Sequence, residues 1–251
     1  MTEQNRLYVG KRLNTPDGVV EIVAYNGCMS VKIKFIETGY QITTQAGHIL
    51  RGQVRDKLKP TVYGKDFSGD GPHKGSKSSR AYKLWSDIFT RCYGGGNLPY
   101  MGCSIDPQWY NFQEFAEWCA WQRGFELNWH LDKDILTPGN RIYSAQTCVF
   151  VPREMNNFYV NTDNAKGYSQ TKSGGYAVYV GNKYLGVYQD EAAARLRYRE
   201  GKRDKCRELL NKWSDNLDER VVVAMLRDYE EKREAATAVF RKYEELTCYN
   251  S

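Results

Sequence analysis

Six polar residues between positions 130 and 156 carry the densest chemistry in the chain: His130, Asp132, Lys133, Asp134, Asn140 and Asn156. The stretch reads as a strand, a Pro-Gly-Asn turn, a second strand and a short helix opening near Pro152. A period of two places His130, Asp132 and Asp134 on one strand face and Lys133 on the other. One strand carboxylate plus an amide on the following helix, Asn156 or Asn157, makes a one-metal site for Mg²⁺. Such an ion takes few protein oxygens and keeps its waters for a phosphate. The competing reading is structural: the carboxylates cap turns and pair with Arg141 or Arg153. Spacing alone favours the second.

The elements that must hold these residues are legible on either side. Residues 8–60 alternate apolar and polar residues in VVEIVAYNG and MSVKIKFI, with a Tyr-Asn-Gly turn between them, and YQITTQAGHI supplies a third strand. A small twisted sheet or barrel is expected there. Residues 61–79, rich in Gly, Ser and Lys, read as a linker or exposed loop whose Lys65, Lys74 and Lys77 could track a phosphate backbone. From Ser79 the period becomes helical, with Tyr82, Trp85, Ile88 and Phe89 on one face and Trp109, Phe112, Phe115, Ala116 and Cys119 on the next helix. These aromatics are core rather than binding platform. Residues 166–205 read as three short strands followed by a helix capped by Asp190, and a last helix is expected over roughly 216–246. The fold class is therefore α+β.

Composition excludes several functions. No apolar run reaches the 18 residues that a membrane helix needs, and the N-terminal MTEQNRLYVGKRL has no apolar signal core, so a cytosolic protein without membrane contact is expected. The seven cysteines include no C-x-x-C pair, which argues against a disulfide framework or zinc ribbon. Zinc on some of Cys92, Cys103, Cys119 and Cys148 with His130 matches no common ligand spacing. The net charge of +6 is unevenly spread. Residues 1–91 hold 15 Lys/Arg against 8 Asp/Glu, and residues 161–213 hold 11 against 6, while the segments 92–160 and 214–251 are each acidic by three. Two separated basic modules suit a grip on a long polyanion. A solvated surface explains them equally well.

Residues 79–157 resemble the HNH-type (ββα-metal, or His-Me finger) proteins encoded by bacteriophages, often as homing endonucleases. The resemblance rests on Tyr82–Trp85, Arg91-Cys92-Tyr93, Tyr100-Met-Gly-Cys-Ser-Ile, Trp109 and Phe112. It continues through Leu131-Asp-Lys-Asp-Ile-Leu, Gly139-Asn140, Tyr143-Ser144, Thr147-Cys148, Phe150-Val-Pro and Asn156. It implies a ββα core in which Asp132 and Asn156 bind Mg²⁺ or Mn²⁺ and Asn140 fixes the loop. Lys133 stands where the family has its general-base His. A free lysine, with a pKa of about 10.4, can steady a phosphate but is a poor base. His130 is the nearby substitute.

Residues 166–203 resemble the three-stranded, one-helix DNA-binding domain of plant ethylene-response factors, which phage HNH proteins often carry at the C-terminal end. The matching words are Gly167-Tyr168-Ser169, Lys172-Ser-Gly-Gly-Tyr176, Ala177-Val-Tyr-Val180, Lys183, Leu185-Gly186 and Glu191-Ala-Ala-Ala194. In that fold the sheet enters the major groove of double-stranded DNA, so Ser169, Lys172, Tyr179 and Lys183 are the implied contacts. The plant pattern has arginines and tryptophans at such positions. Two functions follow from the resemblances. One is DNA binding with metal-dependent nicking or cutting. The other is a catalytically degenerate DNA-binding regulator, or an inhibitor of a host machine, with the acidic C-terminal helix as its protein-binding surface.

Overall fold

Alternation at Val20, Ile22, Val31, Ile33 and Phe35 dictates strands buried on one face only. The computed structural model describes residues 6–96, 98–160 and 167–248, which fall into two units, 1–119 and 120–251. The first unit opens with β1 (Arg12–Thr15), β2 (Gly18–Tyr25), β3 (Val31–Phe35) and β4 (Gln41–Thr44), an antiparallel meander in that order. A short helix α1 (Ala46–Leu50) follows where the third predicted strand was to continue. The barrel expected from the sequence is not closed. β1 and β4 are short edge strands at opposite sides of an open sheet, and four strands are too few to wrap around a filled interior. The turn after Tyr25 runs from Asn26 to Ser30, whose carbonyl accepts from the Asn26 amide at 2.9 Å.

Residues 61–79 form no regular element but are pinned. The Phe67 amide donates to the Tyr110 carbonyl, and the Phe67 carbonyl accepts from Phe112, both at 3.0 Å. The buried Asp66 carboxylate accepts from the Thr61 hydroxyl and the Tyr63 amide. Ser79 caps α2 (Arg80–Tyr93) through the Tyr82 amide. After β5 (Ser104–Ile105) comes a 3-10 turn over Pro107–Tyr110 and then α3 (Phe112–Ala120). The aromatics interlock as the helical spacing predicts: Trp85 packs edge-on against Phe89 and Phe112, and its indole N–H donates to the Trp109 carbonyl at 2.7 Å.

The second unit begins with α4 (Arg123–Glu126) and β6 (His130–Asp132), followed by β7 (Ile142–Tyr143), β8 (Val149–Val151) and α5 (Arg153–Val160). β6 and β8 are antiparallel, pairing His130 with Val151 and Asp132 with Val149. β9 (Tyr168–Gln170), β10 (Tyr176–Val180) and β11 (Lys183–Tyr188) form a separate antiparallel sheet with β10 in the centre. Asp190 caps α6 (Glu191–Trp213) by accepting from the Ala193 amide at 2.6 Å. The chain ends in α7 (Glu219–Cys248).

One helix serves two cores. Ala194 and Tyr198, early in α6, pack under Val178 and Val180 of the three-stranded sheet. Cys206, Leu209 and Leu210, late in the same helix, pack with Val149, Val151 and Met155 of the ββα element and with Val221, Met225 and Tyr229 of α7. At 1.5 Å per residue, the 23 residues of α6 span about 35 Å, so the sheet and the ββα element are mounted on one rod. Among the described residues no helix is long and apolar enough to cross a membrane.

Candidate functional site

The bend after β6 is built by mutual backbone and side-chain bonds. The strand stops at Asp132, so Lys133 and Asp134 lie in the bend and not on alternating strand faces. This takes Asp134 off the face it was expected to share with His130 and Asp132, both of which stay in β6. The cause is the Asp132 carboxylate itself: its Oδ1 accepts from the amides of Asp134 at 2.8 Å and Ile135 at 2.7 Å, which turns the chain out of the ladder. Asp132 is only 7% exposed, and burial pushes its carboxyl above the usual carboxylate range against the opposing pull of those two N–H groups.

Lys133 is buried too. Its ammonium donates to the Asp134 carboxylate at 2.6 Å and to the Asn140 carbonyl at 2.8 Å, and lies 5.9 Å from the Tyr143 ring centre. Asn140 closes the circuit, with Nδ2 donating to the carbonyls of Lys133 at 2.9 Å and Ile142 at 2.7 Å while Oδ1 accepts from the Ile142 amide. Asn140 therefore ties the two ends of the loop. His130 is exposed and pairs with Val151 at the opposite end of β6, and Asn156 sits half-buried in the first turn of α5. Cys148, wholly buried before β8, has its thiol pushed up to about 12 by burial.

The divalent ion that the HNH resemblance implies does not fit these side chains. Mg²⁺ held by one or two carboxylates retains several waters. Asp132 is largely buried and spends an oxygen on two backbone amides, and Asp134 is already matched by the Lys133 ammonium. The bend carries its own cation.

The three-stranded sheet has one face on α6 and one free. Tyr168, Tyr176, Val178, Val180, Leu185 and Tyr188 belong to the helix side. Ser169, Ala177 and Val187 lie side by side in register on the other, joined by Tyr179 and Tyr184. A β-bulge makes this possible: Val178 pairs with Gly186 but Tyr179 with Tyr184, leaving Leu185 as the extra residue. Gly186 adopts φ +119°, a conformation costly for any residue with a Cβ. With Leu185 turned to the helix, the bulge returns Val187 to the free face that holds Tyr184, whose ring centre lies 5.2 Å from that of Tyr179. Tyr179, Tyr184 and Val187 are 45%, 54% and 44% exposed.

Of the predicted DNA contacts, Ser169 and Tyr179 are on this face; Lys172 is exposed in the turn before β10, and exposed Lys183, the first residue of β11, pairs with Val180 of the helix side at the far end of β10. Tyr184 and Val187 escaped the sequence reading, because strict alternation gives them no common face with Tyr179 and only the Gly186 bulge supplies one. In the first unit, the Lys65 ammonium stacks over the rings of Tyr93 and Tyr110 at 4.9 and 5.5 Å. Lys74 and Lys77 are exposed. On α7, Val221, Met225 and Tyr229 face the core while Val223 and Val239 are exposed, the latter pair lying on the surface expected to meet a protein partner. Comparison with family models, curated proteins and solved structures returns no match.

Proposed function

We propose that this protein binds double-stranded DNA through the free face of the β9–β11 sheet, and that its ββα element is a scaffold that does not hydrolyse phosphodiesters. The observation carrying the first half is the make-up of that face. Ser169, Ala177, Tyr179, Tyr184 and Val187 include no carboxylate, and Lys172 and Lys183 flank them on both ends of the central strand. A sheet of this width fits the major groove, with the flanking ammonium groups reaching phosphates. The segment's surplus of 11 basic over 6 acidic residues supplies the long-range attraction.

The second half rests on Lys133, whose ammonium is committed to Asp134 and Asn140 and so has no part in activating water. A gel shift with duplex DNA, repeated without added metal and with the Lys172→Ala/Lys183→Ala variant, tests binding. Metal-independent retardation that weakens in the variant is expected. Supercoiled plasmid incubated with Mg²⁺ or Mn²⁺ tests hydrolysis, and it should stay intact. Nicking that disappears in Asp132→Ala would restore the metal-dependent nuclease reading.

A further inference from the structure

The free face of the sheet lacks the usual base-reading side chains. Base edges in the major groove are normally read by Arg or Lys on guanine, Asn or Gln on adenine and Asp or Glu on cytosine. None of these stands among Ser169, Ala177, Tyr179, Tyr184 and Val187. The row instead offers the two methyls of exposed Val187 beside buried Ala177, with the paired rings of Tyr179 and Tyr184 continuing the apolar strip. One major-groove feature suits such a strip: the C5-methyl group of a pyrimidine, which is carried by thymine and is absent from unmodified cytosine.

Resting on the DNA-binding reading above, we infer that this sheet selects duplexes by their pyrimidine C5-methyl groups, with Val187, Tyr184 and Tyr179 as the contacting residues. Selection is then for thymine-bearing sequence and extends to 5-methylcytosine. Lys172 and Lys183 supply affinity without choice, since phosphates are the same in every sequence. The bulge at Gly186 matters because, with Tyr184 already paired to Tyr179 beside the turn, unbroken alternation would carry Val187 to the helix side opposite Tyr176 and the strip would lose its methyls.

The test compares four duplexes by fluorescence anisotropy with the full chain at one salt concentration. They are alternating A·T, the same duplex with deoxyuridine for thymidine, alternating G·C, and the same with 5-methylcytosine. Burying one methyl favours binding by about fourfold. The thymine duplex should therefore bind at least that much tighter than its uracil twin, and the methylated G·C duplex tighter than the unmethylated one. Val187→Ser, at an exposed position, should bring both ratios toward one, whereas Lys172→Ala should weaken all four duplexes alike. Equal affinities within each pair would overturn methyl selection and leave DNA binding standing. Failure to bind any of the four would remove the DNA-binding reading and this inference with it.

Discussion

Lys133 and Asn140 hold each other reciprocally: the Lys133 ammonium donates to the Asn140 carbonyl at 2.8 Å, and the Asn140 amide donates to the Lys133 carbonyl at 2.9 Å. The two bonds close the loop at its neck, and the Asp134 carboxylate balances the buried charge from the side. This gives Lys133 a structural task that a neutral histidine in the same place would not perform. Removing either partner leaves buried polar groups unmatched. Lys133→Ala and Asn140→Ala should each cost about 1–3 kcal/mol, measured by denaturant unfolding. The double variant should cost less than the sum of the two, because both remove the same closure. Strict additivity would mean that the two residues act independently.

Asp132 makes the loop sensitive to pH in a direction opposite to that of most carboxylates. Burial raises its folded-state pKa above the ordinary value, so the fold favours the protonated form. The associated stability is fully present below the unfolded-state pKa and is lost as pH rises through the raised, folded-state value. Asp132→Asn keeps an oxygen that can accept from the Asp134 and Ile135 amides but has no proton to lose. Unfolding curves across acid to neutral pH should therefore show the variant gaining on the wild type as pH rises through the folded value. A gain in the opposite direction would reverse the assignment of burial as the dominant cause.

Much of this architecture is written in local pattern. The period-two run Val31–Phe35 and the aromatic spacing Trp85, Ile88 and Phe89 each specify an element whose buried face is then found in the structure. Asp190 marks the start of α6 by the same side-chain cap that its position implies. What escaped was anything decided by pairing across strands. Whether four strands close or stay open depends on which edges meet, and edge pairing leaves no trace in β1 or β4. The end of β6 at Asp132 is set by two amides seeking one carboxylate oxygen, so alternation overran it. The place of Val187 on the free face is hidden from alternation because a bulge inverts the face of every residue beyond it.

The seat of the sheet on α6 depends on one position without a side chain. Gly167 has φ +72°, and a Cβ there would lie 2.1 Å from the Tyr198 ring, while its carbonyl accepts from the Tyr179 amide at 2.9 Å. Gly167→Ala combines left-handed strain of about 1–2 kcal/mol with overpacking of about 1–3 kcal/mol. Tyr198 is buried in the sheet–helix core, so its ring must shift to admit the methyl. Hydrogen exchange should show β9–β11 losing protection while β1–β4, in the other unit, keep theirs. Unchanged protection in β10 would mean that the ring can move aside.

Salt dependence separates the contributions of the two lysines from those of the strip they flank. Each phosphate contact made by a cationic side chain adds about 0.9 to the magnitude of the slope of log K against log salt on duplex DNA. Lys172 and Lys183 are exposed at opposite ends of β10, so each is placed to meet a different phosphate. The double alanine variant should lower the slope by about 2, and each single variant by about half that amount. Val187→Ser touches no phosphate and should leave the slope unchanged even where it lowers affinity. A slope that is the same in the wild type and in the double lysine variant would place the phosphate contacts elsewhere on the chain, with the exposed Lys74 and Lys77 the next pair to remove.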